Sequence, residues 1–262
     1  MFHQKIKIYL KLAILIEIIH ISISLYLYMN SRYFEKSICV VTSIVQRKTK
    51  YGNDITYYRN MLNSLPHELY VIVRTEIPLE FGKYDRKPDM VIDVKEYPEM
   101  EKLNDPAYIP TYGDTLSRTR WRSKQTLDMA TMLNYGAERF DYVLFLEDDT
   151  VALDESSLIL WLNDFISNHK NDIKWGFAHL EHYPQNFKDK SIISYGGSGA
   201  TALLIPSTQV NIFVPYLRQH FDKSPCDWLI RDFVHKNNLN VYGASPPLFK
   251  HMGKTSSLTE KN

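Results

Sequence analysis

Three carboxylates stand together at the end of an apolar run: Asp141 to Leu146 (DYVLFL) is followed at once by Glu147, Asp148 and Asp149. Adjacent carboxylates repel one another, and burying them without compensation is costly or forces proton uptake. A divalent cation removes that penalty. Hard cations such as Mg²⁺ or Mn²⁺ take oxygen ligands, commonly one or two carboxylates plus the phosphate oxygens of a substrate. A solvated acidic turn or a helix cap is the plainer use of the same residues. Upstream, Arg118, Arg120, Arg122 and Lys124 surround Trp121. Such cations can neutralise a diphosphate while the indole packs on a base or sugar, unless they only solvate a helix face. In the C-terminal HMGKTSSL, His251 can complete a carboxylate and phosphate metal shell and Lys254 can reach the diphosphate. Asp227, in CDWLIRDF, opens a predicted helix, where capping is the simpler role. The glycines of YGGSG, Gly196, Gly197 and Gly199, match no phosphate-binding fingerprint and read as a tight turn.

The elements that must position these groups alternate along the chain. Ser37 to Val45, Leu69 to Val73, Met90 to Val94, Asp141 to Leu146, Trp175 to Leu180 and Asn240 to Tyr242 are short apolar runs that read as strands. Helical spacing marks Tyr57 to Leu65, Ser117 to about Gly136, Trp161 to His169 and Asp227 to Lys236. The glycine turn leads into a further short apolar strand ending at Ile205. Tyr97 to Asp114, with three prolines and little periodicity, reads as a surface loop, and the end of the chain as a polar tail. This alternation predicts an α/β fold on a mainly parallel sheet with right-handed crossovers. In such sheets ligands bind outside the carboxyl ends of the strands, which is where the three acids fall.

Composition narrows the chemistry. With 31 Lys+Arg against 30 Asp+Glu, the 262-residue chain lacks the basic excess of a nucleic-acid binder. Its two cysteines, Cys39 and Cys226, cannot build a thiolate metal cage, although one disulfide between them is open. No repeat period appears. One asymmetry stands out: Leu12 to Met29 is almost wholly apolar and follows Lys5, Lys7 and Lys11. It is near the length needed to span a bilayer, and no small-residue cleavage site follows, so an uncleaved signal anchor with a cytoplasmic N-terminus is expected. Glu17 and His20 within it suit an amphipathic or buried helix instead. The expected organisation is a tail and transmembrane helix over residues 1–30 and one lumenal catalytic domain over residues 31–262.

Four blocks occur in a telling order: TRWRSKQTLDMATMLNYG, DYVLFLEDDTVAL, SPCDWLIRDF and PPLFKHMGKTSSL. Together they resemble the N-acetylglucosaminyltransferase IV family of N-glycan-branching Golgi enzymes. The acidic block and the tail also resemble the post-GPI-attachment GalNAc-transferase, whose hydrophobic insertion has no counterpart between His182 and Gly196. The resemblance implies a GT-A glycosyltransferase fold, a UDP-sugar donor, a glycan acceptor and Mn²⁺ or Mg²⁺. It also implies a single-pass type II placement in the Golgi or ER membrane with the catalytic domain lumenal. By position, Glu147 and Asp148 match the sugar-nucleotide acids of a DxD-type motif, and Asp149 and His251 match metal ligands. Arg120, Arg122, Lys124 and Lys254 match diphosphate-side cations, and Asp227 matches the acid of the DWL block. The implied reaction transfers an N-acetylhexosamine, GlcNAc first and GalNAc to GPI mannose second, to a mannose hydroxyl with inversion. Asp227 is then the candidate base. A metal-dependent phosphoesterase or a noncatalytic glycan-binding protein are the rival classes.

Overall fold

The computed structural model describes residues 16–22, 37–45, 47–48, 54–55, 57–93, 96–181 and 200–253. Of the expected anchor only residues 16–22 fall among these, as a helical stretch, α1. No helix among the described residues is long and apolar enough to cross a membrane. The glycine turn at 196–199 and Lys254 lie outside the described residues.

A seven-stranded sheet organises the domain. In chain order its strands are β1 (Ile38–Ile44), β4 (Tyr70–Thr75), β5 (Met90–Ile92), β6 (Tyr142–Glu147), β8 (Trp175–His179), β9 (Ala202–Pro206) and β10 (Asn240–Gly243). Two short hairpin strands, β2 (Arg47–Lys48) and β3 (Asp54–Ile55), pair apart from it. The order across the sheet is β10-β8-β9-β6-β1-β4-β5. All neighbours are parallel except at β9, which runs antiparallel to both β6 and β8. The mainly parallel expectation therefore holds with one strand reversed.

Burial follows from the alternation of strand side chains. In β1, Ile38, Val40 and Ile44 point to one core, while Cys39 and Val41 point to the other; in β6, Leu144 and Leu146 oppose Val143 and Phe145. Both sheet faces are thus covered, as the unbroken apolar runs require. One face packs under α2 (Tyr58–Asn63) and α4 (Glu155–His169), through Met61, Leu62, Leu158, Leu162 and Phe165. The other packs under α3 (Leu116–Ala137), α5 (Ser207–His220) and α6 (Cys226–Asn237), through Leu133, Phe213, Leu217, Ile230 and Phe233. α3 approaches the sheet closely at Gly136, where a Cβ would stand 2.9 Å from Cys39 Sγ. Cys39 is buried there, its thiol pushed up to about 12 chiefly by desolvation, and Cys226 opens α6; both thiols are free.

Several local expectations are corrected. α5 was invisible in the sequence because Pro215 interrupts an otherwise amphipathic stretch, yet the fold accommodates it. α4 begins at Glu155, capped by Asp154 accepting from Ser157 N at 2.7 Å, earlier than its apolar core suggests. The expected loop from Tyr97 carries a 3-10 helix, Pro98–Asn104. The predicted polar tail begins with a strand, β11 (Phe249–His251), antiparallel to β7 (Thr150–Ala152).

The 97–114 segment is tied down at Asp222. This carboxylate is buried and accepts from Lys102 Nζ at 2.8 Å, while the Asp222 carbonyl accepts from Tyr108 and Thr111. Burial alone would raise its pKa, but the Lys102 hydrogen bond and charge outweigh it, so the carboxyl titrates below its ordinary value. A depressed folded-state pKa contributes stability that is complete above the unfolded pKa and lost as pH falls through the folded one. Wild type is therefore expected to exceed Asp222→Asn by about 1–2 kcal/mol at neutral pH, an excess that declines as pH falls below about 4. Thermal melts of both proteins from pH 8 to pH 3 check this; an excess independent of pH would show that the carboxylate's charge is irrelevant.

Candidate active site

The acids sit where two strand ends meet. Glu147 closes β6, in register with Ser43 of β1, and the chain turns through Asp148 and Asp149 into β7. Asp148 is buried and accepts from the backbone N–H of Val45 at 3.1 Å, which locks the turn onto the carboxyl end of β1. Asp149 is equally buried, and its carbonyl accepts from Met252 N at 2.7 Å.

β11 delivers the imidazole. Its pairing with β7 sets His251 opposite Thr150, one residue beyond Asp149. Glu181 fixes this arrangement, with one carboxylate oxygen accepting from His251 N at 3.1 Å and the other from the Thr201 hydroxyl. His251 Nε2 then lies 3.1 Å from Asp149 Oδ2 and 3.8 Å from Glu147 Oε2. One ligand atom from each of Glu147, Asp149 and His251 falls within 4.8 Å of the others. Two carboxylates and an imidazole suit a hard or borderline divalent ion such as Mn²⁺ or Mg²⁺. The space around them is kept open by Gly253, where a Cβ would overlap Asp149 Oδ2 and stand 2.9 Å from its Cγ and 3.0 Å from His251 Nε2. Gly253→Ala is accordingly expected to weaken Mn²⁺ binding at least tenfold with little change in Tm. Calorimetric titration with MnCl₂ decides it, and unchanged affinity would remove Gly253 from the site.

A cavity of about 540 Å³ opens beside this group, over the ends of β1 and β6 and against α3 and α6. α3 faces it with a helical stripe, Arg118, Trp121, Arg122, Gln125, Asp128 and Met129. Arg118 and Arg122 share Asp114, at 3.0 and 2.9 Å, so two guanidinium groups balance one carboxylate at the cavity wall. Arg122 is nearly buried, and its Nη1 makes no hydrogen bond among the described residues. A buried donor left in this state is ready for an anionic or hydroxyl-rich ligand. The cavity also takes in Asp227 and Trp228 from the first turn of α6.

The basic block thus divides. Arg118 and Arg122, one helical turn apart, face the cavity. Arg120 does not line it: its guanidinium donates to Leu103 O at 3.2 Å and Asn104 Oδ1 at 2.7 Å. Lys124 bonds Asp128 at 2.9 Å and also pairs with Glu76. Lys124 thereby belongs to a network that sequence reading missed, centred on Asp128 and including Ser43, Tyr97 and the fully buried Arg74. Burial opposes the charge of Arg74, but Asp128 and Glu76 outweigh it and keep the guanidinium protonated. Arg74 at the end of an apolar strand, and Asp128 four residues after Lys124, were the available signals.

No family model matches the chain. Alpha-1,3-mannosyl-glycoprotein 4-beta-N-acetylglucosaminyltransferase A of Xenopus tropicalis is 26% identical over 243 residues, 87% of this chain and 38% of the relative. The chain is similar to these N-acetylglucosaminyltransferases. The Gallus gallus A enzyme shows the same identity over the same 243 residues. The Homo sapiens B enzyme is 28% identical over 181 residues, 63% of this chain and 29% of the relative. The chain therefore matches 29–38% of the length of the curated transferases to which it is similar.

Proposed function

We propose that the chain is a UDP-sugar-dependent hexosaminyltransferase that moves N-acetylglucosamine to a mannose hydroxyl of an N-glycan, with inversion. The observation that carries this reading is the convergence of Glu147, Asp149 and His251 beside a cavity that also holds Asp148, Arg122 and Asp227. The named activity of the relatives supports the donor and acceptor classes. Glu147, Asp149 and His251 would hold Mn²⁺ or Mg²⁺, which when bound supplies Lewis-acid stabilisation of the departing diphosphate. Arg118 and Arg122 counter the remaining diphosphate charge, and Asp148, fixed by Val45 N–H, orients the sugar nucleotide. Asp227 accepts the proton of the acceptor hydroxyl as that oxygen bonds to the anomeric carbon. The bond to the diphosphate oxygen breaks at the same time, and UDP leaves with the electron pair. The apolar run from Leu12 to Met29 supports attachment to a Golgi or ER membrane with the catalytic domain lumenal.

A donor screen tests the reading. Purified protein with MnCl₂, a panel of UDP-sugars and an N-glycan acceptor is expected to release UDP from UDP-GlcNAc only when both metal and acceptor are present. Phosphate release without acceptor would assign a phosphoesterase, and no binding of any UDP-sugar would leave a noncatalytic protein.

A further inference from the structure

Two exposed aromatic side chains meet at the mouth of the cavity. Tyr112 is 60% exposed and Trp228 41% exposed, with ring centroids 5.5 Å apart and planes at 75°. Both line the cavity, and Trp228 directly follows Asp227. The pair is built from two separate parts of the chain. Trp228 sits on α6, beneath the Arg231 guanidinium at 4.6 Å. Tyr112 has a φ of 59° and Gly113 one of 66°, two successive left-handed residues, a conformation a tyrosine adopts only when its surroundings impose it. Those surroundings are present: Thr111 donates to Lys223 O at 2.9 Å, and Asp114 is clamped between Arg118 and Arg122. A strained residue held so firmly, with its ring left in solvent, points to a ligand, because folding alone gains little from it.

We propose that Tyr112 and Trp228 form the platform for the acceptor sugar. A pyranose presents C–H groups on its faces and hydroxyls around its edge, so an aromatic surface takes a face while polar groups take the rim. With Asp227 adjoining the platform, a sugar stacked there brings its hydroxyl edge toward the carboxylate. The part of the cavity lined by Ser43, Val45 and Asp148 is left to the donor nucleotide. This assignment rests on the transferase reading above and adds to it the residues that select the acceptor.

The test uses the full chain with MnCl₂, UDP, UDP-GlcNAc and an N-glycan whose mannose 4-hydroxyl is free. UDP binding by the wild-type protein is measured first; its absence overturns the transferase reading and the platform with it. With UDP bound, Trp228→Ala and Tyr112→Ala are each expected to raise the acceptor KM at least tenfold, leaving UDP affinity within twofold and Tm nearly unchanged. Trp228→Phe is expected to recover most of the loss, which a variant that merely unfolds cannot do. An unchanged acceptor KM would overturn the platform alone. An equal loss of UDP affinity would also overturn it, moving the aromatic pair to the nucleobase.

Discussion

MnCl₂ is expected to raise the Tm of the wild-type protein, and Asp149→Asn to abolish that rise and to reduce transfer by about a thousandfold. The substitution keeps the volume of a nearly buried side chain, but it removes one of the two carboxylates that approach His251. Loss of metal stabilisation of the leaving diphosphate is worth several kcal/mol, and about 4 kcal/mol corresponds to about three powers of ten. Ligand binding to the folded state raises Tm by mass action, so the melting experiment reports on the ion independently of turnover. A variant that retained both the Mn²⁺-dependent melt and the activity would exclude Asp149 from the metal site.

Asp227→Asn separates a second role from the first. Its expected signature is a loss of about 10²–10⁴ in kcat with the affinities for UDP and Mn²⁺ preserved, since a positioned base acts on the transition state and contributes on that scale. The geometry allows this separation because Asp227 comes from α6, an element distinct from β6, β7 and β11, which carry the acid and imidazole group. Parallel loss of UDP binding would reassign Asp227 to the donor.

The long-range frame was readable because its strands are nearly continuous apolar runs. DYVLFL leading into three acids reads as a central strand with the acids at its carboxyl end, and β6 is that strand. β11 was not readable: a strand of three residues carries no period, and its partner β7 is equally short. The sequence could therefore nominate His251 but not bring it to Asp149. The basic block misled in a different way. Read as a line of four cations it looks like one surface, whereas on a helix Arg118 and Arg122 share a face that Arg120 does not. Tyr112 escaped notice because its value lies in a backbone conformation, and residue type alone gives no sign of φ.

The β7 and β11 pair also imposes an order of events on the polypeptide. Glu147 and Asp149 are on the chain long before His251, and they meet it through contacts between distant segments, the β7–β11 ladder among them. Such non-local closure comes late in folding, after the loops between have been restrained. A chain emerging from the ribosome can thus assemble its central sheet while its acids still lack their imidazole. If the proposed site takes a divalent ion, competence to hold it becomes a marker that β11 has docked.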